Sequence, residues 1–175
     1  MFISIDDTFI YIGGLGDFTN LNAGLNPENY LSTVYFKSIN NTKTCHIQPL
    51  DHGLTLHASV VSPIGVITCG GVTPDMRETN KCDRLKNKNT WEPFPSMNEA
   101  RFDFDMVIVG ETLISFGGYS DEDTYEKINW RNGDKWELVK MNRKFSYTCV
   151  TYWDEESILI TGGKINGFIK MKLGS

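Results

Sequence analysis

Phe9-Ile10-Tyr11-Ile12-Gly13-Gly14 is the first of four apolar runs in this chain that end in two glycines. The other three are residues 66–71 (VITCGG), 113–118 (LISFGG) and 158–163 (ILITGG). The first glycines of successive pairs are 57, 47 and 45 residues apart, a period that predicts repeated supersecondary units. Because β-branched and aromatic residues favour strands and glycine allows close backbone approach, each run predicts a buried strand whose end meets another backbone.

Two tryptophans recur at the same distance from the glycine pair that follows them. Trp91 and Trp136 each lie 26 residues before the first glycine of the next pair, and Cys45 stands near the place where a third tryptophan is expected. A methionine and an arginine follow each tryptophan, namely Met97 and Arg101, then Met141 and Arg143. This succession of apolar strand, glycine pair, variable loop, tryptophan, methionine and arginine resembles the kelch repeat and covers nearly the whole chain. The resemblance implies a β-propeller whose blades have four strands each.

The chain is predicted to be one all-β segment of four repeats, at about residues 1–50, 51–95, 96–140 and 141–175. Turn signals such as Asn132-Gly133 divide the repeats into short strands A to D, and no segment has a helical apolar period. The fourth repeat ends after strand C, at residues 168–173. We therefore predict a β-propeller of four-stranded antiparallel blades of the kelch type. It is either incomplete, as a fragment of a larger propeller, or a small four-bladed ring whose first strand (residues 2–5) completes the last blade.

Composition limits the classes of partner. The 175 residues carry a net charge of −5, whereas nucleic-acid binders usually show a basic face. No apolar run approaches the roughly 20 residues needed to cross a bilayer, and no signal peptide is visible. We therefore expect a cytoplasmic protein that binds neither nucleic acid nor membrane. Its four cysteines lack C-x-x-C spacing, so we expect reduced thiols and no zinc site, with Cys69 and Cys149 as small apolar residues in core strands.

Loops at one end of the blades are the candidate binding site. Because strands A to D alternate in direction, the B–C and D–A loops open on the same face, and loops on a rigid scaffold often carry binding residues. The loop at residues 15–31 is the only insertion that breaks the repeat. The residues expected to bind a partner are Phe18, Asn22, Tyr30, Asp75, Arg77, Tyr119 and Asp121. The alternatives are that these residues are merely solvated, and that Phe18 and Tyr30 fold back over the first blade.

Two other sets of repeated residues are expected to be structural. The fixed offset of Trp91 and Trp136 from the glycine pairs favours packing between blades. Arg101 and Arg143 recur with the repeat, and we expect each to bond to backbone carbonyls rather than to form an anion site.

An enzyme is the less favoured interpretation. Kelch-type propellers resemble galactose oxidase, which binds copper, and sialic-acid epimerases. A copper site needs imidazoles that converge on one point, whereas His46 and His57 are predicted on strands of different blades and His52 in a loop. Asp103 and Asp105 face the same way on one predicted strand, but such a pair is more often a solvated edge than an acid–base site. We therefore expect no catalytic residue, no metal and no cofactor.

The favoured interpretation is a protein-interaction module that binds a partner through the B–C and D–A loop face. The resemblance adds a narrower expectation, since many kelch proteins join their propeller to a BTB domain and recruit substrates to a cullin ubiquitin ligase. Nothing in these residues resembles the BTB part. Open blade edges in an unfinished propeller also predict self-association. The alternative is a sugar- or small-molecule-processing propeller of the galactose oxidase or sialic-acid epimerase type.

Overall fold

The computed structural model describes residues 2–5, 8–15, 30–38, 44–87, 89–119, 123–145, 147–162 and 167–173. These residues form fifteen β-strands and no helix. The strands make four antiparallel sheets that follow one another along the chain, each assembled from consecutive strands. The all-β prediction is therefore confirmed.

All fifteen strands predicted from the sequence are present. The first sheet contains β1 (Phe2–Ile5), β2 (Thr8–Leu15), β3 (Tyr30–Ser38) and β4 (Thr44–Ile47). The second contains β5 (Ala58–Ser62), β6 (Gly65–Cys69), β7 (Cys82–Lys86) and β8 (Thr90–Phe94). The third contains β9 (Asp105–Val109), β10 (Thr112–Phe116), β11 (Thr124–Asn129) and β12 (Glu137–Lys140). The fourth contains β13 (Thr148–Asp154), β14 (Ser157–Gly162) and β15 (Phe168–Lys172).

Apolar side chains between successive sheets form the core. Phe116 of the third sheet packs in one cluster with Ile158 and Ile160 of the fourth. Ile67 of the second sheet and Leu113 of the third belong to another cluster. The first strands of the four sheets contact one another in the order β1, β5, β9, β13, and we call them the innermost strands. Each of the two middle sheets therefore buries one face against the preceding sheet and the other against the following sheet.

The two repeated tryptophans join neighbouring sheets, as predicted. Trp91 in β8 donates its indole N–H to the Gln48 carbonyl, 2.9 Å away, just after the first sheet ends. Trp136 beside β12 donates in the same way to Pro95, 2.7 Å away, just after the second sheet ends. Because each indole satisfies its only donor on the preceding sheet, the tryptophans fix the spacing between repeats.

The glycine pairs lie where backbones of two sheets approach closely. A Cβ atom on Gly70 would lie 2.5 Å from the carbonyl oxygen of Arg101, in the segment that leads into the third sheet. A Cβ on Gly71 would lie 2.6 Å from the carbonyl of Thr55, in the segment that leads into its own sheet. Both glycines have positive φ, +65° and +96°. The glycine pair thus lies between the segment that leads into its own sheet and the segment that leads into the next sheet. We call these the entry segments, and they leave no room for a side chain at either glycine.

The first strand does not complete the last sheet. β1 pairs with β2 across a two-residue connection, so it belongs to the first sheet. Pairing with so near a strand closes a much shorter loop than pairing with the fourth sheet. Of the two alternatives left open by the sequence, the ring in which the first strand completes the last blade is therefore not what the structure shows. No closed ring of sheets is found among the described residues.

The prediction of reduced cysteines is wrong for two of the four. Cys69 of β6 and Cys82 of β7 stand directly opposite each other and form a disulfide, with Cα atoms 4.1 Å apart. The bond closes a loop with a sequence separation of 13 that contains the glycine pair, which corresponds to about 3 kcal/mol in the chain-entropy model. Cys149, expected in the core, is an exposed free thiol on β13.

Candidate partner-binding surface

The predicted loop face is present as a set of contacting segments at one end of the sheets. It comprises the described residues of segments 48–57, 95–104 and 141–147, which lead into innermost strands, and segments 70–81 and 117–119, which follow glycine pairs. Gly71 donates its backbone N–H to the Arg101 carbonyl at 2.7 Å. The entry segments are also linked to each other, because the Asp103 N–H donates to the Leu56 carbonyl at 2.9 Å. We call this surface the loop face.

Three aromatic side chains are grouped on the described loop face. The ring centroids of Phe102 and Tyr119 are 5.3 Å apart, and those of Tyr119 and Tyr147 are 6.0 Å apart. Both tyrosines are 54% exposed. The backbone N–H of Tyr119 also donates to the Phe102 carbonyl at 3.1 Å, which ties the two segments together beneath the rings. We call Phe102, Tyr119 and Tyr147 the aromatic patch.

The entry segments hold non-glycine residues in the left-handed backbone region at three equivalent places. Leu56, Asp103 and Tyr147 have φ values of 54°, 56° and 55°, and each lies one or two residues before an innermost strand. This conformation costs an ordinary residue about 1–2 kcal/mol. Leu56 and Tyr147 are nonetheless exposed apolar or aromatic side chains. Strained residues of this kind cluster at functional surfaces.

Asp75 and Arg77 lie in a tight turn within the loop-face segment at residues 70–81. The Thr73 hydroxyl donates to Asp75 at 2.5 Å, and the Arg77 guanidinium lies 3.1 Å from the other carboxylate oxygen. The hydrogen bond from Thr73, assisted by Arg77, holds the pKa of the Asp75 carboxyl below its ordinary value. Met76 between them is exposed, with φ of 62°. The two charges that the sequence predicted as binding residues therefore largely neutralise each other and present an exposed methionine.

A buried charge network supports the third sheet's part of the loop face. Arg101 and Glu126 are both fully buried, with Nε 3.4 Å from Oε1. Arg101 also donates to the Gly117 and Thr124 carbonyls, at 2.8 and 3.2 Å, which confirms the prediction of carbonyl bonding for this residue. Glu126 in turn accepts the backbone N–H of Asn98 at 2.6 Å. The network binds the entry segment, the glycine pair and β11 into one unit.

Arg143 does not repeat the role of Arg101. Strand register places Phe145, not Arg143, at the position equivalent to Arg101. Arg101 lies four residues before Asp105, the partner of Phe116, and Phe145 lies four residues before Cys149, the partner of Thr161. Phe145 is buried and its ring centroid is 5.2 Å from that of Phe116, whereas Arg143 is exposed. The expectation of a second carbonyl-bonding arginine was wrong, because it matched Arg143 with Arg101 by residue type, whereas strand register matches Arg101 with Phe145.

The two predicted acidic neighbours do not share a strand face. Asp103 precedes β9, whereas Asp105 is its first residue. The Asp105 carboxylate accepts the backbone N–H of Val150 in β13 at 2.9 Å, and burial raises the pKa of Asp105. Asp105 therefore joins the third and fourth sheets, whereas Asp103 lies in a segment of the loop face.

The structure describes four of the seven residues that the sequence predicted to bind a partner. Tyr119, Asp75 and Arg77 lie on the loop face, but Tyr119 is not shown to contact the other two. Tyr30 is the first residue of β3, paired with Leu15, and not a loop residue. Phe18, Asn22 and Asp121 lie outside the described residues.

Sequence reasoning missed several residues of this surface. They are the exposed Leu56, Met76 and Tyr147, together with the partly buried Phe102 that contacts Tyr119. Two of them carried a usable signal, because Leu56 and Tyr147 occupy the same place relative to the innermost strand of their repeats.

Three other signs of function would be a metal site, a membrane-spanning helix and a similar known protein. In the described residues, no three His, Cys, Asp or Glu side chains are grouped so that they could hold a metal ion. None of the described segments is a helix long and apolar enough to span a membrane. The chain matches no protein-family model and no curated protein.

Proposed function

We propose that the four sheets are blades of a kelch-type β-propeller and that the loop face binds a protein partner through the aromatic patch. The propeller interpretation draws support from antiparallel sheets in chain order, innermost strands that contact in sequence, and glycine pairs and tryptophans with the same role in successive sheets.

The observation that carries the binding proposal is the exposure of the aromatic patch. Apolar side chains between the sheets are largely buried, whereas Tyr119 and Tyr147 stand more than half exposed on adjacent segments. Tyrosine is enriched in the energetic centres of protein interfaces, because it offers a large apolar ring and a polar end with few rotatable bonds. Leu56 and Met76 extend the exposed apolar surface on the second sheet's side of the face.

The buried network beneath the patch adds a second argument. Arg101 and Glu126 hold the segment of Phe102 against the segment of Tyr119 before any partner arrives. A surface that is already ordered loses less conformational entropy on binding, so more of the contact energy appears as affinity.

The test is a photo-crosslinking experiment with a matched control. A photoreactive phenylalanine analogue replaces Tyr119 in one variant and Leu138 in the other, since Leu138 is 43% exposed on β12, away from the patch. We expect crosslinked partners at position 119 that are absent at position 138. Tyr119→Ala should weaken capture of the same partners by roughly tenfold or more, which corresponds to about 1.4 kcal/mol or more.

Equal crosslinking at both positions, or capture unaffected by Tyr119→Ala, would refute the proposal. The narrower role of a ubiquitin-ligase substrate adaptor gains support only if a captured partner becomes more abundant when the proteasome is inhibited in cells that contain the protein. The small-molecule-processing alternative gains support if no protein is crosslinked and a sugar protects position 119 from photolabelling.

A further inference from the structure

The Cys69–Cys82 disulfide lies at the base of the loop-face segment 70–81. Cys69 is the last residue of β6 and Cys82 is the first residue of β7, so the bond joins the two points where this segment leaves and re-enters the second sheet. Both cysteines are buried in the apolar cluster between the second and third sheets. The bond is therefore placed to act on the segment that it encloses.

Other sheets hold the same two positions together without a covalent bond. The residue before the glycine pair and its strand partner are Phe116 and Tyr125 in the third sheet, and Thr161 and Phe168 in the fourth. Phe116 and Tyr125 stack, with ring centroids 6.1 Å apart. Because the same strand pair forms in all three sheets and a free thiol packs as a small apolar group, the second sheet is compatible with either a disulfide or two thiols.

The segment above the disulfide is a narrow extension of β6 and β7 with an exposed tip. Its two arms are joined by backbone hydrogen bonds, from Gly70 to the Lys81 carbonyl at 2.9 Å and from Thr79 to the Gly71 carbonyl at 3.0 Å. At the tip, Met76 is 54% exposed. A covalent link at the base limits how far the arms can separate, so it lowers the population of open conformations.

Both arms also contact the entry segment of the third sheet. The Asn80 side chain donates to the Met97 carbonyl at 2.7 Å, and the Met97 backbone N–H donates to the Asn80 carbonyl at 2.9 Å. From the other arm, the Gly71 N–H donates to the Arg101 carbonyl at 2.7 Å. Separation of the arms would therefore break the hydrogen bonds that fix the position of the Met76 turn relative to the third sheet's part of the loop face.

We propose that the Cys69–Cys82 pair is a redox switch for partner binding at the loop face. In the disulfide form, the Met76 turn is held against the entry segment of the third sheet before a partner arrives. In the dithiol form, the arms separate more often, so a partner must order them and binds more weakly. The inference rests on the binding function proposed above, and it adds how that function is controlled.

The switching reaction is thiol–disulfide exchange with a dithiol reductant. A thiolate of the reductant attacks one cysteine sulfur, the S–S bond breaks, and the other sulfur leaves as a thiolate that takes up a proton. The second thiol of the reductant then displaces the first cysteine, which gives two cysteine thiols and the reductant as its own disulfide. Because both cysteines are buried, the attack takes place while the arms are open.

Hydrogen exchange of the full chain, followed by mass spectrometry, tests the switch without any partner. Dithiothreitol should raise the exchange rate of residues 70–81 by roughly tenfold or more, while the rate in β10 stays unchanged. The matched control is the double variant Cys69→Ala with Cys82→Ala, which cannot form the bond. It should exchange like the reduced chain and should not respond to dithiothreitol.

Photo-crosslinking from position 119 then measures the effect on binding. Reduction should lower partner capture by roughly threefold or more, and it should leave the already weaker capture by the double variant unchanged. Unchanged exchange in residues 70–81, or unchanged capture, would overturn the switch. Exchange that rises throughout the chain would also overturn it, in favour of a disulfide that only supports the fold. Absence of capture in both redox states would refute the binding function itself, and the exchange rates distinguish that failure from failure of the switch.

Discussion

Replacement of Arg101 by leucine tests the buried network under the loop face. Arg101 is fully buried and donates to Gly117 and Thr124 as well as facing Glu126. Leucine is the appropriate substitution because the second sheet carries Leu54 at the equivalent position, where it is buried in an apolar cluster. The variant therefore measures how much the Arg101 charge contributes to the free energy of unfolding, at a position where another repeat of the same chain carries an aliphatic side chain.

The expected loss is large because the substitution leaves Glu126 buried without its main cation. Removal of one partner of a buried ion pair typically costs about 3–5 kcal/mol. Two backbone carbonyls, those of Gly117 and Thr124, also lose an Arg101 donor. We therefore expect Arg101→Leu to lower the free energy of unfolding by about 3–5 kcal/mol, a large part of the ordinary total of about 5–15 kcal/mol.

Urea unfolding followed by tryptophan fluorescence measures this loss as a shift of the midpoint at constant slope. Adding Glu126→Gln to Arg101→Leu removes the unpaired charge, so the double variant should recover about 1–2 kcal/mol relative to the single one. A loss below about 1 kcal/mol in the single variant, or strict additivity in the double-mutant cycle, would show that the pair is not the energetic unit that its geometry indicates.

Two further predictions concern the glycine pairs and the buried imidazole. Gly117→Val should destabilise the fold by roughly 1–3 kcal/mol more than Gly110→Val, because a Cβ at Gly117 lies 3.0 Å from the Phe145 carbonyl whereas nothing lies within 4 Å at Gly110, and both have positive φ. Equal thermal unfolding of the two variants would contradict the close approach. Burial lowers the pKa of His57 to about 3, so between pH 6.5 and 4.5 the unfolded chain takes up a proton that the folded chain does not, and stability should fall by about 2–3 kcal/mol as pH falls. His57→Phe, which copies the equivalent Phe104, should flatten this loss in urea unfolding measured at both pH values, and an unchanged pH dependence would refute the assignment.

The strands were predictable from sequence because the repeat supplies several landmarks in the same order. A glycine pair marks the end of the second strand of each sheet, and Trp91 and Trp136 mark the last strands of the second and third sheets. The disulfide was not predictable in this way, because Cys69 and Cys82 meet only through the register of β6 on β7. A shift of one residue in that register would have turned the two side chains to opposite faces of the sheet.

The candidate site was only partly predictable, for a related reason. Tyr119 follows directly on a glycine pair and was therefore placed in a variable loop. Phe102 and Tyr147 were missed, because nothing in the sequence shows that either ring reaches Tyr119. Contacts between rings on different segments depend on how the sheets are spaced, and that information lies in packing rather than in periodicity.

One buried position shared by three repeats, four residues before the residue that pairs with the position preceding the glycine pair, shows where this chain departs from its own repeat. It holds Leu54, Arg101 and Phe145 in successive sheets, and all three are buried. Since leucine and phenylalanine fill this place with apolar packing, the fold itself does not require a buried charge there. Buried ion pairs often add little net stability over well-packed apolar residues, and in some proteins they instead specify one arrangement of the groups around them. The arginine occurs in the sheet whose loops carry Phe102 and Tyr119, so we infer that its network serves to hold the aromatic patch in one conformation.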